Sequence, residues 1–574
     1  MQGDIDEKLD WFSTLYEEAK REFEVEQLDL SGRNPFQRDR DRILSSKAFC
    51  RLDGKAQVFY ADSKDHIRNR LTHSLGVMSL ADNISRKLKL NCDLVEAIAL
   101  GHDLGHTPYG HIGERILNQI MNGCIDLHGV QKFLKNNDLG FKHNWQGYRL
   151  VSELEAHSDK YPGLNLTKQT IWGIVNHTGL YYKDCYSHCF MKSRFNGFLR
   201  LSQYKKCKKN LSIEFYKKPF ATPRPTGEKS IIPLDNRYWT PEAMVVAVAD
   251  EIDQRIHDVA DAYEFGIIGL TDILKQFCAI FENNFSSDMK KIISELQNLC
   301  LPSITKYVEE YNENIETHIN ELESLSEISQ NDRVIIKNSN TQLKKKMKSI
   351  GDQIVKKIRN INTNELRSGT HHIQATFSRL IADLYIDNFI RYYRDKMNSY
   401  INKYSVKSSK EYKEKLNNGI VPFSISDLRN DPFWENDAKF HDYLKRLILN
   451  CHRVQLADGR ASLIIRKIFK ALVSNPMQLP DKVLRRYVSS MDNVHHFMTE
   501  SIIDDEYYAA KAAYTIRSQL IKKYLRTPDG APNDKGYSLL MRTICDFISG
   551  MTDQYAEAYY HELYGVKDIL LEFK

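Results

Sequence analysis

The chain has 574 residues, of which 42% are hydrophobic and 27% are charged. This apolar content is sufficient for a buried core and excludes a wholly disordered protein. No run approaches the ~18 consecutive apolar residues of a membrane-spanning helix, so we expect no membrane partner. The length permits several domains or one large helical unit with insertions.

The N-terminal segment and the cysteines indicate the compartment. The opening MQGDIDEK is polar and acidic, without the basic and apolar regions of a secretory signal. The ten cysteines lack regular spacing, which disfavours a disulfide scaffold. We therefore expect a reduced, cytoplasmic protein.

The net charge of +6 is too small for this length to identify nucleic acid as a partner. Positive charge is concentrated between Lys192 and Lys229, where several aromatic residues are interspersed. Such a strip is suited to single-stranded nucleic acid or to a triphosphate. A solvated surface insertion is the simpler interpretation, and we favour it.

Apolar residues at three- and four-residue spacing predict a mostly α-helical protein. The first amphipathic helix covers Leu71 to Leu88, and the almost uniformly apolar segment from Leu94 to Leu100 predicts a buried one. A capping hydroxyl, a proline and an acid from Thr240 to Glu242 predict the start of a core helix. Further predicted helices begin after Gly110 and cover 373–393, 508–525 and 539–564. Residues 181–238 and 283–368 look like insertions.

Histidines and acids are concentrated in one part of the chain, which reads GHDLGHTPYGHIGE from Gly101. His102 and Asp103 end the most apolar helix, where their side chains are costly to bury unless they are paired or metal-bound. His73 ends an Arg-x-x-His motif at the start of another helix. Divalent first-row metals bind such mixed nitrogen and oxygen ligands and leave positions open for water and substrate. The pattern predicts a metal centre.

A fourth ligand is expected from another helix, and Asp250 is the best candidate. It is the first acid after a run of apolar positions, so it projects from a buried helix. Gln254, His257 and Asp258 follow on the same face. Taken alone, Asp250 is better explained as an acid of an ordinary amphipathic helix.

His111 and Glu114 lie three residues apart on the helix predicted after Gly110. A carboxylate in this position can orient an imidazole and raise its basicity, as general acid–base catalysis near neutral pH requires. A surface His–Glu contact is the alternative. The nearby metal motif favours the catalytic interpretation.

The pattern His73…His102-Asp103…Asp250 resembles the H…HD…D signature of the HD-domain metal-dependent phosphohydrolases. Other stretches resemble one branch of them, the deoxynucleoside triphosphate triphosphohydrolases, or dGTPase family. These stretches are RDRDRI from Arg38, AFCRLDGKAQVF from Ala48, RLTHS from Arg70, the block His102 to Glu114, HNWQG from His143, IVNHT from Ile174, the segment around Asp250 and Asp258, and DFISGMTDQYA from Asp546.

The resemblance implies an HD-domain helical core with helical insertions and a helical C-terminal region. It divides the chain into four parts. They are an N-terminal lead-in with substrate-side residues (1–65), a metal-binding catalytic core containing the basic insertion 181–238 (66–270), a helical insertion (271–370), and a C-terminal region completing the nucleotide pocket and oligomer interface (371–574).

The implied reaction is hydrolysis of a dNTP to a deoxynucleoside and inorganic triphosphate. The implied metal is Mn²⁺ or Mg²⁺, with Fe, Co and Ni as alternatives. Its ligands would be His73, His102, Asp103 and Asp250, and His111 with Glu114 would be the catalytic proton-transfer pair. The implied substrate contacts are Arg70 at the α-phosphate, His106 and His143 along the phosphates, Gln57 at the sugar 3′-hydroxyl, and Asp258 near the sugar.

Two positions depart from the family pattern. Gln254 stands where the family usually has a tyrosine under the deoxyribose, which puts sugar discrimination in question. Cys50 occupies a position that is often arginine. The family resemblance also implies a homo-oligomer, commonly a hexamer, and a dNTP activator in some members.

Other functions stay open at this point. The same metal site would serve an HD-type phosphodiesterase or a nuclease acting on single-stranded nucleic acid. A nucleotide-regulated nucleic-acid-binding module is a non-enzymatic alternative, against which the intact quartet with His111 and Glu114 argues. A small zinc site of Cys185, His188, Cys189 and Cys207 has a spacing that fits no common zinc module, so packing or free thiols are the favoured interpretation.

Overall fold

The computed structural model describes residues 5–24, 32–57, 68–125, 127, 140–158, 160–179, 232–300, 366–491, 514, 516–518 and 520–565. Over these ranges the regular structure is helical, and β pairing is confined to isolated bridges such as Ala56 with Asn69. The predicted mostly α class is confirmed. The basic segment 192–229, the cysteine–histidine group from Cys185 to Cys207 and most of the predicted insertion 283–368 lie outside the described residues.

The α-helices of the described chain are numbered here in order. The first nine are α1 (Pro35–Leu44), α2 (Lys47–Cys50), α3 (Arg70–Lys87), α4 (Cys92–Gly101), α5 (Gly110–Met121), α6 (His143–Arg149), α7 (Lys168–Asn176), α8 (Pro241–Glu264) and α9 (Leu270–Phe281). The next nine are α10 (Ser287–Cys300), α11 (Leu366–Tyr404), α12 (Ser409–Asn417), α13 (Ile425–Arg429), α14 (Pro432–Leu449), α15 (His452–Ser474), α16 (Asp481–Met491), α17 (Asp534–Ser549) and α18 (Asp553–Tyr564).

Short helical turns complete the described structure. Turns of 3₁₀ helix cover Leu9–Trp11, Tyr16–Glu18, Ile232–Leu234, Asn236–Tyr238, Glu282–Asn284 and Pro476–Gln478. Single π-helical turns cover Leu150–Leu154 and Leu520–Leu525.

The helices that carry the predicted metal ligands begin as the sequence indicates. At the start of α3, the side-chain oxygen of Asn69 accepts a hydrogen bond from the backbone N–H of Thr72 at 2.9 Å. At the start of α8, the Thr240 hydroxyl accepts from the backbone N–H of Ala243 at 3.2 Å. Both contacts satisfy amides of a first helical turn, which have no intrahelical partner. The predicted helices at these places are confirmed.

The prediction of one helix over 539–564 is wrong. The structure has two, because α17 ends at Ser549 and α18 begins at Asp553. The Thr552 hydroxyl caps the new helix by accepting from the backbone N–H of Tyr555 at 3.1 Å. A threonine that caps a new helix start interrupts the old helix even where the apolar spacing continues. The segment 508–525, also predicted helical, lies largely outside the described residues.

The chain forms two compact units. The first consists of Met1–His257, Phe389–Trp434 and Arg446–Lys574, and the second of Asp258–Asn388 and Glu435–Lys445. In the first unit, α3 packs on α4 and α4 on α1 and α7, while α15 packs against α5, α17 and α18. The four-part division expected from the sequence stays a prediction.

The second unit has an aromatic core. The ring of Phe277 lies with its centroid 5.3 Å from that of Phe440, and Phe281 lies 5.8 Å from Tyr385. The Tyr385 hydroxyl donates to the carboxylate of Asp437 at 2.7 Å. Among the described residues, no helix combines the length and the apolarity needed to cross a bilayer.

Candidate metal centre

Three helices bring the four predicted ligands together. His73 lies on α3, Asp250 lies on α8, and His102 with Asp103 follows directly on α4. Nε2 of His73 is 3.0 Å from Oδ1 of Asp250 and 4.0 Å from Oδ2 of Asp103. Nε2 of His102 is 3.8 Å from the same oxygen of Asp250. Both imidazoles and both carboxylates therefore face one point.

The donor atoms suit a divalent first-row metal. Nδ1 of His102 donates to the carbonyl of Ala99 at 2.6 Å, so its Nε2 carries a lone pair. That Nε2 is buried and has no hydrogen-bond partner within the described structure. Nitrogen and oxygen ligands in this combination are those that such metals bind, and a hydrogen bond at the other ring nitrogen is the usual support for a metal-bound histidine.

The carboxylates of the centre are ionised. Burial alone would raise the pKa of Asp103, but the neighbouring His106, His102 and Arg70 hold it well below its ordinary value. Burial likewise opposes the shift at Asp250, whose pKa is lowered chiefly by the hydrogen bond with His73. Ionised oxygens are the form that binds a cation.

The carboxylates beside His73 raise the pKa of its ring. Burial would lower the pKa of its ring, but hydrogen bonds with Asp250 and Asp253 raise it to about 10. Because a histidine must be neutral to bind a metal, metal binding here is coupled to loss of a proton from the ring.

Arg70, the first residue of α3, places a guanidinium beside the four ligands. Its Nη1 forms an ion pair with Oδ2 of Asp103 at 2.7 Å. Its Nε and Nη2 are buried and have no hydrogen-bond partner within the described residues. Buried donors that lack a partner are costly, and a guanidinium in this state is suited to bind a phosphate oxygen.

A second cluster extends the site away from the four ligands. Nδ1 of His143 donates to Oε2 of Glu114 at 2.6 Å, and the His143 ring stacks on His106 with centroids 3.9 Å apart. His106 reaches back to the first cluster, since its Nε2 is 3.1 Å from Oδ1 of Asp103. Burial would raise the pKa of Glu114, but His143 and Lys142 hold it well below its ordinary value. The predicted pairing of Glu114 with His111 stays a prediction.

The other predicted site residues lie at the edge of these clusters or beyond them. His111 is exposed at the start of α5, with its ring centroid 5.7 Å from that of His106. Gln57 is partly buried, and its Oε1 has no hydrogen-bond partner in the described structure. Asp258 and Gln254 lie on α8, where Asp258 is buried and Gln254 is partly buried. Their sugar-side roles stay predictions.

Asp253 is a site residue that we did not predict. Its Oδ2 lies 2.7 Å from Nδ1 of His73 and 3.1 Å from Nε2 of His257. A metal-binding histidine typically donates its second ring N–H to such a carboxylate. The signal in the sequence was its position one helical turn after Asp250.

His177 is a second residue whose place the sequence did not indicate. It is buried, and its ring centroid lies 5.1 Å from that of His102 and 5.5 Å from that of His143. Its Nδ1 donates to the carbonyl of Ile174 at 2.7 Å. Burial and the nearby His102 lower its pKa to about 3, so the ring is neutral. His177 therefore lies between His102 of the four-ligand cluster and His143 of the second cluster.

Gly105 allows the loop after α4 to approach α6. A Cβ atom at this position would lie 2.0 Å from the carbonyl oxygen of His143 and 2.3 Å from the backbone nitrogen of Gly147. Both atoms belong to the backbone and cannot rotate away. The glycine is therefore required for His106 and His143 to stack.

Comparison with known families gives two matches. The HD domain matches residues 70–255, which contain all four predicted metal ligands, and the phosphohydrolase-associated domain matches residues 506–562. Residues 70–255 are thus similar to the HD domain, and the chain is similar to dGTPase-like proteins. Both similarities agree with the family expected from the motifs.

Several curated relatives of this chain carry the name deoxyguanosinetriphosphate triphosphohydrolase-like protein. The one from Bartonella tribocorum is 50% identical over 149 residues, or 26% of this chain and 34% of the relative. The one from Rickettsia bellii is 37% identical over 247 residues, or 43% and 52%. The one from Pelagibacter ubique is 35% identical over 266 residues, or 46% and 59%. Each match thus spans less than two thirds of the relative.

Proposed function

We propose that this protein hydrolyses deoxynucleoside triphosphates to deoxynucleoside and inorganic triphosphate, using a divalent metal. The observation that carries the proposal is the state of Arg70. Among the described residues, two buried donors of its guanidinium have no hydrogen-bond partner, beside an ion pair with Asp103 at 2.7 Å. Unsatisfied donors beside four residues that would hold a metal are suited to bind a phosphate oxygen. The names of the curated relatives are in accord with a nucleoside triphosphate substrate.

His73, His102, Asp103 and Asp250 would hold the metal. When bound, a divalent ion supplies positive charge to a phosphate oxygen and lowers the pKa of water. Arg70 binds the α-phosphate and stabilises the charge that develops on it during the reaction. The stacked rings of His106 and His143 line the path of the remaining phosphates.

The bond to be cut joins the α-phosphorus to the 5′-oxygen of the sugar. The departing 5′-oxygen is a poor leaving group unless it receives a proton, and we assign that donation to His111. Its position at the start of α5 beside His106 supports the role. Desolvation lowers the pKa of its ring to about 3, so His111 donates only after taking up a proton in the complex with the negatively charged substrate. His111 could instead act as a base or as the nucleophile. Product analysis and the pH dependence of turnover distinguish these roles from proton donation.

Gln57 binds the sugar through its 3′-hydroxyl, and the role of Asp258 near the sugar remains the expectation from the family resemblance. One observation supports the role of Gln57: its side-chain oxygen is buried and has no hydrogen-bond partner in the described structure. Gln254 replaces the aromatic residue expected under the deoxyribose. The ratio of activity on deoxyribonucleotides to activity on ribonucleotides therefore tests the proposed sugar site. A homo-oligomer, expected to be a hexamer from the family resemblance, and activation by a second dNTP complete the proposal.

Incubation with each dNTP, alone and in mixtures, tests the proposed function. The protein is supplied with Mn²⁺ or Mg²⁺, and products are separated by ion-exchange chromatography. We expect equimolar deoxynucleoside and inorganic triphosphate, and faster turnover in mixtures if a second nucleotide activates. Cleavage of single-stranded DNA with intact dNTPs would instead identify a nuclease. Binding of single strands without cleavage of either substrate would identify a regulated binding module.

A further inference from the structure

Asp553 joins two distant segments of the chain with a single carboxylate. It is the first residue of α18 and is only 3% exposed. Its Oδ1 accepts from the backbone N–H of Tyr109 at 2.7 Å, and its Oδ2 accepts from the backbone N–H of Ala56 at 2.9 Å. It lies within the phosphohydrolase-associated match, to which none of the predicted catalytic or binding residues belongs.

Backbone contacts reinforce both connections. The N–H of Asp553 donates to the carbonyl of Gly54 at 2.9 Å, and the hydroxyl of Tyr109 donates to the carbonyl of Asp553 at 3.1 Å. A Cβ atom at Gly54 would lie 2.7 Å from a side-chain carbon of Thr552, so the segments meet at close range. A buried lysine adds a further connection, since Nζ of Lys55 donates to the carbonyls of His106 and Ser549.

Each segment leads directly to a residue of the proposed site. Ala56 precedes Gln57, and Tyr109 lies one glycine before His111. Tyr109 has φ +61°, a left-handed conformation that residues with a side chain rarely adopt. Such a conformation persists only where the surrounding structure holds it, and the carboxylate of Asp553 accepts the hydrogen bond of this residue. The start of α5 is therefore fixed from α18.

We propose that Asp553 is a positioning residue, which sets His111 and Gln57 in register with each other through the two backbone amides. The inference rests on the proposed function for the roles of those two residues. A carboxylate accepts at both oxygens, whereas an amide side chain accepts at one and presents N–H groups at the other. The change Asp553→Asn therefore leaves one buried backbone N–H facing another donor.

The test compares Asp553→Asn with a matched control, Asp546→Asn. Asp546 is also a buried carboxylate of the same C-terminal segment, but it pairs with Arg149 at 2.8 Å and lies on α17. Two readouts are used on the full-length protein. One is hydrogen exchange of peptides covering residues 54–57 and 107–111. The other is the ratio of kcat/KM for a dNTP to that for the matching 2′,3′-dideoxynucleotide, which lacks the hydroxyl assigned to Gln57.

We expect Asp553→Asn to accelerate exchange in both segments, to lower kcat by about 10- to 100-fold, and to reduce the preference for the 3′-hydroxyl, since small misplacements of reacting groups have effects of this size. Metal content should not change. Asp546→Asn should alter neither the ratio nor the exchange of the two segments. Equal effects of both variants on the ratio and on kcat, or unchanged exchange in Asp553→Asn, would overturn the proposal.

Two further arms keep the test decisive. If Asp553→Asn does not fold, Asp553→Glu keeps both acceptor oxygens but displaces them, and it should shift the same two readouts; an unshifted Glu variant overturns the proposal. If the wild-type protein leaves dNTPs intact, the proposed function fails, and the exchange readout alone still decides whether Asp553 holds the two segments.

Discussion

The carboxylate of Asp253 accepts a hydrogen bond from Nδ1 of His73 at 2.7 Å, while Nε2 of the same ring faces Asp250 at 3.0 Å. The hydrogen bond with Asp253 orients the His73 ring and keeps a proton on Nδ1, which leaves Nε2 as the nitrogen that would bind the metal. It also explains Gly76 on α3, because a Cβ atom there would lie 2.5 Å from Oδ1 of Asp253.

The change Asp253→Asn is expected to weaken metal binding by about 10- to 100-fold, the usual effect of removing a carboxylate behind a metal-bound histidine. Titration of the metal-free protein with Mn²⁺, followed by electron paramagnetic resonance, measures the affinity. Glu251→Gln on the same helix is the control, because Glu251 pairs with Arg255 at 2.7 Å and does not contact the centre. Equal affinity of Asp253→Asn and the wild type would show that His73 is oriented without this carboxylate.

Metal binding is expected to release protons and to strengthen as the pH rises. Hydrogen bonds with Asp250 and Asp253 raise the pKa of His73 to about 10, and a histidine must be neutral to bind a metal, so binding near neutral pH is expected to displace a proton. Below that pKa, affinity should increase by about tenfold per pH unit for each proton released. Calorimetric titration with Mn²⁺ in buffers of different ionisation enthalpy counts the protons. An affinity independent of pH between about 6.5 and 8.5 would exclude this coupling.

His111→Ala is expected to lower turnover by about 10²- to 10⁴-fold, as removal of an acid–base group typically does. Metal content and nucleotide binding should be retained, because His111 is not among the four ligands. Asp250→Ala is the contrasting variant and should lose metal, which elemental analysis detects. Unimpaired turnover of His111→Ala would remove this residue from the proton-transfer role.

Gly105→Ala is expected to destabilise the fold by several kcal/mol, since its Cβ would lie 2.0 Å from the backbone oxygen of His143. Gly459→Ala is the matched control. Gly459 lies inside α15, and within the described structure no atom outside the adjacent backbone of its own helix lies within 4 Å of its hypothetical Cβ, so alanine there should raise stability by up to about 1 kcal/mol. Thermal unfolding of both variants measures the difference, and a melting temperature of Gly105→Ala equal to wild type would show that the loop and α6 can separate without cost.

Local sequence patterns predict the helices that contain the proposed metal ligands and the places where these helices begin. The apolar spacing from Leu71 to Leu88 and the cap at Thr240 depend only on neighbouring residues, and α3 and α8 form as expected. The break at Thr552 was missed because the apolar spacing continues through it. Periodicity does not report a side chain that caps a new helix.

Contacts between segments that are far apart in the chain could not be predicted from local sequence patterns. Asp553 and Tyr109 are separated by 444 positions, and nothing near either residue indicates the other. The support of His73 by Asp253 likewise depends on how α3 packs against α8. The convergence of His73, His102, Asp103 and Asp250 was expected because their pattern resembles that of a known family.

Hydrolysis of a dNTP in water enriched in oxygen-18 tests the central claim most directly. Cleavage between the α-phosphorus and the 5′-oxygen, with water attacking phosphorus, should put the label in the inorganic triphosphate and leave the deoxynucleoside unlabelled by mass spectrometry. Label in the deoxynucleoside, or release of orthophosphate or pyrophosphate as the first labelled product, would contradict the proposed reaction.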